Sequence, residues 1–281
     1  MRVTIWGCRG SVPTPGPDTV RYGGNTSCIE VSLDGAATLV FDAGTGIRGL
    51  GLDLLAREIR HIHLFLTHLH LDHLEGLRFF APLWDKRVTL DVWGPPSPTL
   101  SLKERVARSF SPPLFPVDLH DAPARVTFRD VPREEWVVDG VSLHADLVLH
   151  PGPTVGFRIE TGGASLAYIP DHEPALAGRI DRRPLDWISG ASIAHDADVL
   201  LHDAQYFEDE YEDRMGWGHS SVADAVDFAL AVDARRLVLF HHEPQHSDGQ
   251  LERLEARARL LAGSNGLTPT LAHEGMVIEL P

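Results

Sequence analysis

Positive charge and sulfur are both scarce in this chain of 281 residues. Lys and Arg number 25 against 40 Asp and Glu, which leaves a net charge of −15. A surface that acidic repels polyanions, so a long nucleic acid is disfavoured as a partner. Two cysteines, Cys8 and Cys28, are too few for a disulfide framework or a four-cysteine metal site, and they read as buried free thiols. No uncharged apolar run approaches the roughly 18 residues that span a bilayer, so no membrane segment is predicted. The stretch Met1–Gly7 reads as a strand entering a turn and lacks the apolar centre of a signal peptide; a cytoplasmic location is expected. Solenoid periods and low-complexity tracts are absent. The remaining composition, 43% hydrophobic and 23% charged, is that of an ordinary globular protein, and one domain over residues 1–281 is predicted. Histidine is the abundant exception. Its 16 copies require a chemical cause.

Alternating or β-branched runs bounded by Gly, Pro and Asp-Gly signals predict strands at Val3–Trp6, Ser27–Leu33, Thr38–Phe41, Ile62–Leu66, Val88–Val92 and Val126–Phe128. Further strands are predicted at Val141–Leu149, Val155–Glu160, Ser165–Ile169, Val199–Leu201, Leu237–Phe240 and Met276–Leu280. Helical spacing of apolar residues predicts helices at Ile47–Ile59, Asp72–Phe80, Leu100–Phe110, Val222–Val232 and Leu251–Ala262. Strands outnumber helices and the helices occur in both halves. That pattern predicts an α/β domain of packed sheets with helices outside.

The histidines concentrate in Thr67-His68-Leu69-His70-Leu71-Asp72-His73, directly after an apolar strand. Three imidazoles and a carboxylate so close together suit a borderline divalent metal such as zinc. His68 and His70 alternate on an extended segment and so face one point. Asp72 and His73 fall in the first turn of the following helix and face a neighbouring point. One loop can therefore serve two metal ions.

This His-x-His-x-Asp-His segment resembles the signature of the metallo-β-lactamase superfamily, and the family's later motifs recur in order along the chain. The resemblance implies a four-layer αββα sandwich and two divalent metal ions, zinc first, with manganese or iron as alternatives. His150, which follows Val141–Leu149 and precedes Pro-Gly, matches the third motif. Asp171 matches the bridging carboxylate, and His241, at the end of Leu237–Phe240, matches the last ligand. By this resemblance one ion takes His68, His70 and His150, the other takes Asp72, His73 and His241, and Asp171 bridges them. His242 is the competing choice for the last ligand. Asp42, closing Thr38–Phe41, matches an aspartate that supports the histidine loop by hydrogen bonds.

Within the superfamily, Gly216-Trp217-Gly218-His219-Ser220-Ser221 resembles a segment of the ribonuclease Z and cyclic phosphodiesterase branch. There the histidine contacts the phosphate or the leaving oxygen and an acidic residue supports it; Asp203 matches that acid. His219, Asp203 and Asp72 are thus the candidate catalytic residues, with Ser220 a substrate contact. The Gly-rich connection from Gly7 to Ser27 lies where the branch has a turn beside its active site, which makes Arg9, Arg21 and Asn25 candidate phosphate contacts. Ribonuclease Z proper carries an inserted basic arm, and no such arm is visible here. The implied activity is hydrolysis of a small or cyclic phosphodiester through hydroxide held between two metals. The alternatives are an RNA 3′-end nuclease of the ribonuclease Z type and an acyl hydrolase of lactones or thioesters. A homodimer is compatible with each.

Overall fold

A computed structural model describes residues 1–33, 38–174, 176, 180 and 183–281. The Asp34-Gly35 turn signal lies outside the described residues. The first sheet is built from β1 (Arg2–Gly7), β2 (Cys28–Ser32), β3 (Thr38–Phe41), β4 (His61–Phe65), β5 (Thr89–Gly94), β6 (Arg125–Asp130) and a last strand, β14 (Val277–Glu279). Its order is β14-β1-β2-β3-β4-β5-β6. The second sheet contains β7 (Trp136–Val138), β8 (Val141–Leu147), β9 (Val155–Thr161), β10 (Ala164–Ile169), β11 (Val199–Asp203), β12 (Arg236–Phe240) and β13 (Thr268–Leu271). There the order is β13-β12-β11-β10-β9-β8-β7.

Strand periodicity sorts the side chains into three cores. Inward residues of both sheets, among them Ile5, Phe41, Phe65, Phe157, Tyr168 and Phe240, meet between the sheets. Phe41 stacks on Phe65 at 5.0 Å and meets Phe157 edge-on at 5.4 Å. The alternate residues Val40, Ile62 and Leu64 face outward against α1 (Ile47–Ala56) and α2 (Leu102–Ala107). On the far side Leu200, Leu237 and Leu239 pack beneath α5 (Val222–Ala231) and α6 (Asp248–Ala262). Two short helices, α3 (Ala191–Ala194) and α4 (Glu208–Glu212), complete the set. The layers therefore run helix, sheet, sheet, helix, as predicted. Central strands buried on both faces explain why β3 and β12 read as nearly continuous apolar runs. Among the described residues no helix is long and apolar enough to cross a membrane.

Pairing of β3 with β4 and of β10, β11 and β12 with one another is parallel. Their carboxyl ends consequently open on the same edge of each sheet, where loops can converge on a ligand. Asp42, the Thr67–His73 loop, Asp171, Asp203 and His241 all stand at those ends.

Several predicted elements change on folding. The helix predicted over Asp72–Phe80 is two 3-10 segments, Leu71–His73 and Glu75–Phe79. The Gly76 amide donates instead to the Ala43 carbonyl at 2.9 Å. A Cβ on Gly76 would sit 2.0 Å from the Gly44 oxygen, so the segment is pinned to the loop after β3. Strand β8 stops at Leu147, so His150 lies in the following turn and does not end the strand. Strands β7 and β13 and helices α3 and α4 have no counterpart among the predicted elements. The sequence of α4, Glu-Asp-Glu-Tyr-Glu, carries no apolar period. Strand β13 contains Pro269, a residue that argues against a strand when only the sequence is read.

Candidate metal centre

The chain leaves β4 through Thr67 and brings four nitrogen and carboxylate donors into one cluster with groups from the opposite sheet. Donor atoms of His68, His70 and His150 lie within 4.8 Å of one another, and so do those of Asp72, His73, Asp171 and His241. Asp171 joins the two groups. Its Oδ2 is 3.0 Å from His73 Nε2, and its Oδ1 is 3.2 Å from His241 Nε2 and 3.8 Å from both His68 Nε2 and His150 Nε2. His241 Nε2 is also 3.2 Å from Asp72 Oδ2. The seven residues named from the sequence are thus adjacent in space.

The hydrogen bonds on the far side of each ring decide which nitrogen is free. His73 Nδ1 faces Asp42 Oδ2 at 2.9 Å, His150 Nδ1 faces the Gly218 carbonyl at 2.8 Å, and His241 Nδ1 faces Gln205 Oε1 at 3.1 Å. Each of those partners accepts, so each Nδ1 carries the hydrogen and each Nε2 presents a lone pair to the cluster. Thr67 Oγ1 donates to Asp42 and can accept from His68 Nδ1 at 3.0 Å. His68 Nε2 then points into the cluster, buried and without a hydrogen-bond partner. An orphaned buried nitrogen beside converging carboxylates fits a divalent cation, and the mixed N/O donor set suits zinc.

Without a cation the cluster holds protons in its place. Burial pushes His241 down, yet Asp171 and Asp72 lift it to about 9. Burial opposes the charged form of His73 as well, but Asp171, Asp72 and Asp42 raise it well above the ordinary imidazole range. Burial raises the carboxyls of Asp72 and Asp171, but the neighbouring histidines hold both well below the usual carboxylate range. Burial, reinforced by His73, pushes His68 down, so it stays neutral.

Asp42 is the hub beneath the loop. It accepts from the Thr67 amide at 2.8 Å, the Thr67 hydroxyl, His73 and the Tyr168 hydroxyl at 2.9 Å. Both Asp42 (φ 62°) and His241 (φ 58°) hold left-handed backbone directly after a strand. Such strain in non-glycine residues gathers where a site fixes side-chain direction. His242 turns the other way. Its Nε2 donates to the Ala272 carbonyl at 2.8 Å, and burial pushes the ring down to about 3, so His241 is the histidine at the cluster.

His219 stands at the rim. Its Nδ1 is 2.6 Å from Asp203 Oδ2, its ring stacks on His241 at 4.8 Å, and it meets His150 edge-on at 4.9 Å. Asp203, fully buried at the end of β11, also accepts from the backbone amides of His172, Gln205 and Ser220.

The four candidate phosphate contacts are directed elsewhere. Arg9 is buried and donates to the carbonyls of Gly23, Glu243 and His246. Arg21 pairs with Glu252, Asn25 donates to Glu274, and the Ser220 hydroxyl donates to the His172 carbonyl. Each already has a protein partner that fixes it. The Gly-rich connection does reach the cluster, but as support: the Ser11 amide donates to Asp72 Oδ2 at 2.8 Å.

Two further participants carry no motif in the sequence. Gln205 holds His241 while donating to Glu243. Glu173 accepts from the amides of Gly216 and Gly218 and from the Tyr211 hydroxyl, which ties down the loop bearing His219. Position offers the one available signal, since Gln205 and Glu173 each lie two residues past a predicted site aspartate. A groove of about 640 Å³ opens beside His68 and His70, walled by Leu69, Leu74 and Leu114 with Arg105 and Arg108 along it.

Comparisons with known proteins identify the family. Residues 37–242 match the beta-lactamase superfamily domain. Ribonuclease Z of Haloarcula marismortui is 27% identical over 98% of this chain and 96% of its own length. Among solved structures, the metallo-β-lactamase fold protein YhfI of Bacillus subtilis superposes with a TM-score of 0.70 at 18% identity, over 99% of both chains. A diphosphatase of the PhnP family gives 0.70 at 19% identity, over 100% of this chain and 98% of its own. Zinc-bound PqqB of Methylobacterium extorquens gives 0.67 at 24% identity, over the whole of both chains. This chain belongs to the beta-lactamase superfamily and is a metal-dependent hydrolase with the metallo-β-lactamase fold.

Proposed function

We propose that this hydrolase is a dinuclear phosphodiesterase acting on a small or cyclic phosphodiester, such as a cyclic nucleotide or cyclic phosphate. The carrying observation is the His219–Asp203 pair, 2.6 Å apart and stacked against the metal-ligand histidine His241. Hydrolysis of a phosphodiester expels an alkoxide, which needs a proton; the thiolate of a thioester departs without one, so the pair speaks against a thioester, while a lactone, whose alkoxide also needs a proton, is separated by the substrate panel below. Asp203 orients the ring by accepting from Nδ1, and three backbone amides hold that carboxylate in place. In the imidazolium form, with hydrogen on both nitrogens, His219 can give the Nε2 proton to the departing oxygen, and the proton released by the attacking water balances it. Divalent ions, if held by the two donor groups, would supply polarisation of the phosphate and of the attacking water.

His68, His70 and His150 would hold one ion, Asp72, His73 and His241 the other, with Asp171 shared. Asp42, Thr67, Gln205 and the Ser11 amide keep these side chains directed. The groove of about 640 Å³ is of a size to take the organic part of a nucleotide-sized substrate, with Arg108 along its wall.

A ribonuclease Z activity is the second reading, favoured by the relative of that name. The alignment with that relative runs over 322 positions, more than the 281 residues of this chain, so the relative carries segments absent here. That difference and the −15 charge support the small substrate. The test offers metal-reconstituted protein 2′,3′- and 3′,5′-cyclic nucleotides, bis-p-nitrophenyl phosphate, a precursor transfer RNA and a lactone panel. Turnover of the cyclic or small diesters above the others supports the proposal. Preferential cleavage of the precursor RNA establishes the second reading, and turnover confined to lactones overturns both.

A further inference from the structure

A second convergence of metal-binding side chains lies at the opposite end of β4. His61 and His63 are two residues apart on this strand and so share a face. Their rings lie 4.5 Å apart. Asp91 on β5 sits directly beside His63 in the parallel register. Its Oδ2 is 2.9 Å from His61 Nε2 and 3.9 Å from His63 Nδ1, and three donor atoms of this trio lie within 4.8 Å of one another.

The second nitrogen of His63 makes this more than a polar surface patch. His63 is more than nine-tenths buried, and its Nε2 donates to Asp139 Oδ2 at 3.2 Å, a residue of the turn between β7 and β8. That bond places the hydrogen on Nε2 and leaves Nδ1 as a buried lone pair with no hydrogen-bond partner, on the side of Asp91 and His61. A carboxylate behind an imidazole whose other nitrogen is free is the arrangement that fixes a ligand histidine toward a metal. Arg129 approaches the other oxygen, Asp91 Oδ1, at 3.6 Å, so Oδ2, which lies 2.9 Å from His61 Nε2, is the oxygen turned toward the two imidazoles. His61 is exposed, so water has access to complete a tetrahedral shell. Burial, with the neighbouring His61, also pushes His63 down, and a neutral imidazole is what a metal needs.

We propose that His61, His63 and Asp91 form a further binding site for one zinc-class divalent ion, with Asp139 positioning His63. Five residues of extended chain from His63 to His68 put the site about 17 Å along the strand from the catalytic cluster. The ion would bridge β4 to β5, and through Asp139 it would tie the first sheet to a hairpin of the second. This inference uses none of the residues assigned to hydrolysis.

The test measures zinc content after equilibrium dialysis of the full chain at equal free zinc, for wild type, His61→Ala and Asp139→Asn. His61 is exposed, so its replacement leaves the core packing untouched. Wild type is expected to hold one zinc ion per chain more than His61→Ala, while hydrolysis by the two proteins is the same. Asp139→Asn is expected to weaken that ion about 10–100-fold. The difference between wild type and variant does not depend on the occupancy of the catalytic cluster, so it stands or falls apart from the phosphodiesterase reading. Equal zinc content in wild type and His61→Ala overturns the site. An extra ion that Asp139→Asn binds as tightly as wild type removes the positioning role of Asp139.

Discussion

At the scale of single residues, Asp42 shows how one carboxylate can organise a loop it does not belong to. Four donors converge on it, and its own backbone is held at φ 62°. Asp42→Asn would turn its amide N–H groups either toward the Tyr168 hydroxyl and the His73 N–H, which both donate to Oδ2, or toward the Thr67 N–H, which donates to Oδ1. Breaking a buried charged contact of this kind typically costs about 3–5 kcal/mol. Thermal unfolding should show that loss, together with weaker metal retention; unchanged stability and metal content would contradict the role given to Asp42. The cluster itself is legible in the sequence because His-x-His-x-Asp-His is a dense local pattern. Of its supports only Asp42 is, because Gln205, Glu173 and Tyr168 acquire their roles only through contacts far away in sequence. Arg9 meets the same limit. A basic residue in a Gly-rich turn suggests a phosphate contact, and only the folded chain reveals three carbonyls surrounding it.

At the scale of elements, strands leave a clearer trace in the sequence than helices do. Apolar runs such as Thr38–Phe41 and Leu237–Phe240 are set by burial on both faces, and burial marks composition directly. The segment after His73 has helical spacing, yet the close approach of Gly76 to Gly44 tightens it into 3-10 turns, a tertiary effect with no local signal. The loop before α5 is equally constrained. Gly218 has φ +90°, and a Cβ there would lie 2.6 Å from His150 Nδ1 and 2.2 Å from Pro151 Cδ. Gly218→Ala should therefore displace both His150 and His219. Hydrolysis is expected to fall about 10–100-fold, as when supporting contacts of a metal ligand are lost, while circular dichroism shows the fold retained. Wild-type rates in that variant would mean that the loop does not set the site.

For the whole molecule, the charge stored in the cluster predicts how metal and proton are linked. His241, at about 9, and His73, higher than an ordinary imidazole, are both protonated at neutral pH without metal. Metal binding must displace those protons. Titrating divalent ions into metal-free protein in weak buffer at neutral pH should release about two protons per chain. The yield should drop by about one as pH rises through 9, where His241 has already lost its proton. The sign for stability follows. A raised folded-state pKa adds stability that is complete below the ordinary value of 6.5 and is lost as pH rises. The metal-free chain should therefore lose stability between 6.5 and about 9. Proton release independent of pH across that window would contradict this electrostatic picture.

The central claim, a phosphodiesterase with a separately held proton donor, is tested most directly by His219→Ala on two substrates that differ only in leaving group. His219 is not a predicted metal ligand, so the variant should keep its metal content. Loss of a positioned general acid typically costs ~10²–10⁴-fold in rate. The account predicts a loss of that size for a ribose-hydroxyl leaving group and a much smaller one for p-nitrophenolate, which departs without a proton. Equal losses on both substrates, or none on either, would contradict it.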